Sequence, residues 1–135
     1  LLGEEVLVAR APGMKYKHYA PKATTYIIGD KERLSLIEEE MKRGRLDPSR
    51  TALILFEENL EHYAPLETGF KMPIGSHSSL KHAIRNLYRI LRDCDILGIE
   101  TIFIEASKEE GLGFSYMNRL KKAAGFNYLK KEQDF

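Results

Sequence analysis

The chain has a single cysteine, Cys94, and no long apolar run, and these two shortages exclude several classes of protein. One thiol cannot form an internal disulfide, and a lone cysteine without a CxxC partner is typical of a reducing compartment. No segment approaches the roughly 20 consecutive apolar residues of a membrane span. No secretory leader pattern is recognisable either. We therefore expect a globular protein of the cytoplasm without a membrane partner.

The sequence also lacks an excess of charge of either sign. Lysine and arginine number 21, aspartate and glutamate number 20, and the formal net charge is +1. This balance argues against strong binding to nucleic acid or to an anionic membrane, although it leaves room for a local basic patch. A length of 135 residues fits one ordinary domain that needs no metal or disulfide for stability.

Recognisable catalytic and metal motifs are missing as well. The sequence has no P-loop, nucleophile elbow or zinc-ligand spacing, and Gly111-Leu112-Gly113 lacks the third glycine of a dinucleotide fingerprint. We interpret that glycine pair as a tightly packed first helical turn. Glu105, at the end of an apolar run, is a candidate acid without a visible partner. We therefore predict no catalytic residue, metal site or cofactor within this chain.

What the sequence does contain is an alternation of apolar runs and amphipathic stretches from Thr24 onward. Runs without polar alternation are typical of strands covered on both faces, and stripes at spacings of three and four predict helices. Pro73 should lie at a strand end or on an edge strand, and Ser107 to Glu110 match a capping box. The predicted strands are 24–29, 51–56, 70–74 and 101–105, and the predicted helices are 30–42, 79–97 and 107–124. This order predicts an α/β fold, a Rossmann-like three-layer domain over 24–135 with a mostly parallel sheet.

Residues 1–23 differ from this pattern. The stretch "RAPGMKYKHYAPKA" (Arg10–Ala23) holds Lys15, Tyr16, Lys17, His18 and Tyr19 between two prolines. Proline disfavours helix in the residue before it, so the segment should be an extended linker. Lysines suit phosphate oxygens, and tyrosine and histidine supply hydrogen bonds and flat faces. The pattern therefore favours contact with a nucleotide or carboxylate, although an ordinary linker packed on its own domain remains open.

"APGMKYKHYAPKA" resembles the linker signature of the long-form threonylcarbamoyl-AMP synthases. Residues 83–124 are similar to the last helix-strand-helix of the same family, including its Glu-Gly-Leu-Gly turn and the Asn-Arg-Leu that follows. In that family a YrdC-like catalytic domain precedes the linker and a Rossmann-like accessory domain follows it. The chain begins Leu-Leu-Gly, which we interpret as the continuation of a longer polypeptide.

The resemblance implies a parent enzyme that joins L-threonine, bicarbonate and ATP into threonylcarbamoyl-adenylate and pyrophosphate, for the threonylcarbamoyladenosine modification of transfer RNA. It implies that Lys15, Tyr16, His18 and Tyr19 face the substrates, while ATP and Mg²⁺ bind in the catalytic domain. That domain is the implied partner. We therefore expect the chain alone to be inactive, and we expect residues 1–23 to have no fixed position within the chain alone. The alternatives are a stand-alone module that binds transfer RNA or a pathway protein, and an independent small-molecule site at the strand ends.

Overall fold

The computed structural model describes residues 19–29 and 33–130, which contain four strands and three α-helices. Two short 3-10 turns, Pro48–Arg50 and Glu57–Asn59, flank the second strand. The elements in chain order are β1 (Thr24–Ile28), α1 (Arg33–Lys42), β2 (Thr51–Phe56), β3 (Phe70–Gly75), α2 (Leu80–Ile96), β4 (Thr101–Glu105) and α3 (Leu112–Ala123). The predicted alternation of strands and helices is confirmed.

The four described strands form one parallel sheet in the order β1-β4-β2-β3. The last of the described strands, β4, lies in the interior of the sheet and pairs with both β1 and β2. All six residues of β2 are buried, as expected for an apolar run without alternation. A further parallel bridge joins Ile27 of β1 to Tyr128 after α3.

Apolar side chains cover both faces of the sheet and form two clusters. On one face, α2 and α3 pack over the strands through Leu87, Leu91, Tyr116 and Leu120. On the other face, Ile37 of α1 packs with Leu53, Leu55 and Phe103 of the sheet. The two clusters make a three-layer domain, so the predicted α/β fold class is confirmed.

The segment between β2 and β3 is rich in polar residues, yet part of it belongs to the core. It contains no α-helix, yet Tyr63 is fully buried and Leu66 nearly so, against the same face as α1. Pro73 pairs with Leu55 on the edge strand β3, where a residue without an N–H is tolerated, and this prediction is confirmed. None of the described helices is long and apolar enough to cross a membrane.

The predicted start of the last helix is wrong. Ser107 does not cap a helix, because its hydroxyl donates to the carbonyl oxygen of Lys108 (3.2 Å) and α3 begins only at Leu112. Gly111 occupies the cap position with φ 56° and ψ −130° and makes no side-chain cap bond. The chain therefore enters α3 through a glycine turn, which lies beside the strand ends.

Candidate functional site

A cleft of about 730 Å³ opens beyond the carboxyl ends of β2, β3 and β4. The connection after β2 packs on one face of the sheet, while α3, which follows β4, packs on the other. Ligands of open parallel sheets bind in the crevice where neighbouring strands send their connections to opposite faces. The cleft therefore has the position of a ligand site. Its lining mixes basic, acidic, amide, hydroxyl and apolar side chains: Phe56, Asn59, His77, Ser78, Ser79, Leu80, Lys81, Ala106, Ser107, Lys108, Glu110 and Leu112.

Glu105 joins the ends of the two interior strands below this cleft. Glu105 is 7% exposed, and its carboxylate accepts hydrogen bonds from the backbone N–H of Phe56 (2.7 Å) and the side-chain amide of Asn59 (2.8 Å). The Tyr116 hydroxyl donates to the backbone carbonyl oxygen of Glu105 at 2.8 Å. Burial raises the pKa of the Tyr116 phenol, and the nearby Glu105 carboxylate adds to the shift. Glu105, the candidate acid, thus has partners, and its hydrogen bonds connect the end of β4 to the end of β2.

The rim of the cleft on the β3 side is held by a second carboxylate. Glu58 accepts hydrogen bonds from the Ser76 hydroxyl and from the His77 N–H (3.1 Å). The Ser76 bond is the main reason that the pKa of Glu58 lies below its usual value. The His77 ring stands edge-on to Phe56, with centroids 6.1 Å apart. Among the described residues no group of three or more His, Cys, Asp or Glu side chains is placed to hold a metal ion.

The glycine pair forms the opposite rim, and the structure explains both glycines. Gly111 has positive φ, a conformation that side chains other than glycine rarely adopt. At Gly113 an added Cβ would lie 1.8 Å from the carbonyl oxygen of Lys108. The interpretation of Gly111 to Gly113 as a tightly packed first helical turn is therefore confirmed.

Of the four linker residues expected to face substrates, only Tyr19 lies within the described residues; Lys15, Tyr16 and His18 lie outside them. The Tyr19 hydroxyl donates to Asp95 of α2, and its ring packs against the core on that side. The expectation that the linker lacks a fixed position is therefore wrong for its last residues.

Nearly the whole chain is similar in sequence and structure to known proteins. The family model described as "Threonylcarbamoyl-AMP synthase, C-terminal domain" matches residues 3–125. The chain belongs to this family.

Full-length relatives agree with that assignment. The threonylcarbamoyl-AMP synthase of Pyrococcus abyssi is 33% identical over 130 residues, which are 95% of this chain and 36% of that protein. The Bacillus subtilis synthase is 36% identical over 122 residues, or 89% of this chain and 33% of that protein. This synthase C-terminal domain thus spans about one third of the length of these relatives.

Solved structures extend the similarity to the fold. P. abyssi Sua5 complexed with L-threonine matches with a TM-score of 0.66 and 30% identity, over 90% of this chain and 34% of that one. A C-terminal Sua5 domain from Pyrococcus horikoshii matches with a TM-score of 0.56 and 26% identity, over 83% of this chain and all (100%) of that one. The resemblance inferred from the linker and the last helices is therefore confirmed.

Sequence reasoning missed Asp95 and Asn59. Asp95 lies in the amphipathic stretch of α2, where an acidic residue at a polar position is indistinguishable from an ordinary surface residue. Asn59 could have been predicted, because polar residues just beyond the carboxyl ends of parallel strands lie together at one edge of the sheet.

Proposed function

We propose that this chain is the accessory domain and active-site-covering linker of an L-threonylcarbamoyladenylate synthase. The parent enzyme converts threonine, bicarbonate and ATP into threonylcarbamoyl-AMP and pyrophosphate, and acts in the cytoplasm in transfer-RNA modification. The observation that carries the proposal is the family match over residues 3–125, in a chain that spans about one third of its relatives. The remaining two thirds would hold the YrdC-like catalytic domain.

In this proposal Lys15, Tyr16 and His18 lie over the mouth of the catalytic pocket. A lysine ammonium there complements a carboxylate or phosphate, and a covering segment excludes water and orients the ligands. ATP and Mg²⁺ bind in the catalytic domain, outside this chain. The structural similarity to a Sua5 protein complexed with L-threonine supports this choice of substrate class.

The first test compares the full-length parent with this chain alone. Pyrophosphate release that requires threonine, bicarbonate and ATP is expected from the parent, and none above a blank from the chain of 135 residues. Activity in the chain alone would place the catalytic groups within it. An inactive parent whose C-terminal chain retards transfer RNA in a gel would favour the alternative of a nucleic-acid-binding module.

The second test replaces the linker lysine. A charge-assisted hydrogen bond is worth about 1.5–3 kcal/mol, so Lys15→Ala in the parent should reduce turnover or substrate affinity by roughly ten- to a hundredfold. Lys42→Ala is the matched control, because Lys42 is exposed in the last turn of α1 and should leave turnover unchanged. Equal rates for both variants would remove the support for a substrate-facing lysine.

A further inference from the structure

The side chain of Asp95 holds the end of the linker at two points. Its Oδ1 accepts a hydrogen bond from the backbone N–H of Lys22 at 2.9 Å, and its Oδ2 accepts one from the Tyr19 hydroxyl. The two donors lie 73 and 76 residues away in sequence, so these are tertiary contacts. A single carboxylate of α2 therefore fixes both the side chain of one linker residue and the backbone of another.

The surroundings of this carboxylate reinforce the attachment. The Arg92 guanidinium lies 6.0 Å from the centre of the Tyr19 ring, one helical turn before Asp95 on the same face of α2. Pro21 is buried, and the Thr24 N–H donates to the Glu100 carbonyl at 3.0 Å where β1 begins.

We propose that Asp95 is a positioning residue of the synthase, which anchors the linker so that its upstream residues remain near the catalytic pocket. Tyr19 then acts through Asp95 and not by contacting a substrate. The inference rests on the proposed function for its effect on catalysis. The anchor itself is a property of this chain and is testable without activity.

The anchor shortens the free part of the linker. Lys15 is four residues from Tyr19, so with the anchor its Cα stays within roughly 14 Å of a fixed point. Without the anchor the nearest backbone bond to the sheet is at Thr24, nine residues away, and the reach grows to roughly 32 Å. The local concentration of a tethered group falls with about the three-halves power of tether length, which here predicts about a threefold loss.

The test is a double-mutant cycle in the full-length parent, with threonine-dependent pyrophosphate release as the assay. Tyr19→Phe leaves the Lys22 bond to Asp95 and should raise the KM for threonine about twofold, whereas Asp95→Ala removes both bonds and should raise it about threefold. In both variants kcat should stay unchanged, because the bound ligands hold the linker in place at saturation. The variant with both Tyr19→Phe and Asp95→Ala should be no worse than Asp95→Ala alone, because Asp95→Ala already removes the partner of the Tyr19 hydroxyl. Effects that multiply would show that Tyr19 acts on the substrate independently, and unchanged KM values would refute the anchor's role.

A matched control and a direct structural readout accompany the cycle. Asp93→Ala makes the same substitution on the same helix, at a carboxylate that pairs with Arg89 on the surface (3.4 Å), and should leave KM unchanged. In the chain alone, Asp95→Ala, which removes both acceptor oxygens, should abolish the hydrogen-exchange protection of the Lys22 amide, while the amides of β4 keep theirs. Retained protection at Lys22 would refute the anchor even if the parent proved to have no synthase activity. An inactive parent with lost protection would refute only the proposed function.

Discussion

Replacing Gly113 by alanine tests the tightest backbone contact at the cleft. Gly113 lies in the first turn of α3, where helix propensity alone favours alanine over glycine by about 1 kcal/mol. The added Cβ would lie 1.8 Å from the Lys108 carbonyl oxygen, a separation that real Cβ atoms do not adopt. Because the opposing atom belongs to the backbone, a side-chain rotation cannot relieve the overlap. The contact must open by more than 1 Å, since real Cβ contacts begin at about 3.0 Å.

Overpacking of this kind costs roughly 1–3 kcal/mol. A chain of this length loses roughly 3.5 °C in Tm for each kcal/mol, from an unfolding entropy of about 2.1 cal/mol/K per residue. Gly113→Ala should therefore lower Tm by roughly 4–11 °C, measured by circular dichroism of the isolated chain. Gly29→Ala is the matched control, because nothing lies within 4 Å of its Cβ position and it should change stability by less than about 1 kcal/mol. A Gly113 variant that melts with or above the Gly29 variant would show that the glycine is not required by close packing.

Two further changes probe the core. Leu53→Ala, in the fully buried β2, should lower the free energy of unfolding by about 2–5 kcal/mol in a urea titration. Leu97→Ala, at a residue that is 46% exposed, should lower it far less, and similar losses for the two variants would contradict the two-face core. Burial raises the pKa of the Cys94 thiol to about 12, so a thiol reagent at pH 8 should react with the unfolded chain and not with the native one. Rapid labelling of the native chain would refute the burial of this thiol. Since the native state retains the thiol proton more strongly than the unfolded state, the free energy of unfolding should fall as pH rises above 9, the ordinary pKa of a thiol.

Sequence pattern was sufficient for the elements and insufficient for their long-range contacts. The unbroken apolar run of β2 identified an interior strand, and Pro73 identified an edge, because both properties are local. The segment after β2 gives no such local signal, since Tyr63 and Leu66 are buried without any helical or strand periodicity. At Ser107 the capping signal was overridden by the close passage of Lys108 against Gly113, a contact that no spacing rule reveals.

The same limit applied to the site. Glu105 was identified from its position at a strand end, but its partners Phe56 and Asn59 came only from the pairing of β4 with β2. Tyr19 was singled out for its binding chemistry, and in the structure its hydroxyl donates to a carboxylate of this same chain. Its partner Asp95 lies 76 residues further along the chain, on a helix whose polar positions look alike in sequence.

The placement of β4 between β1 and β2 governs when this domain can exist during synthesis. Among the described strands, β1 pairs with β4 and not with β2 or β3. During synthesis β1 therefore has no strand neighbour until Thr101–Glu105 has left the ribosome. The α2 helix that carries Asp95 is made only shortly before that point. Tyr19 and Lys22, which lie just before β1, would therefore gain their fixed position late in synthesis. A chain that terminates before Thr101 would keep the pairing of β2 with β3 and would leave β1 without a strand partner.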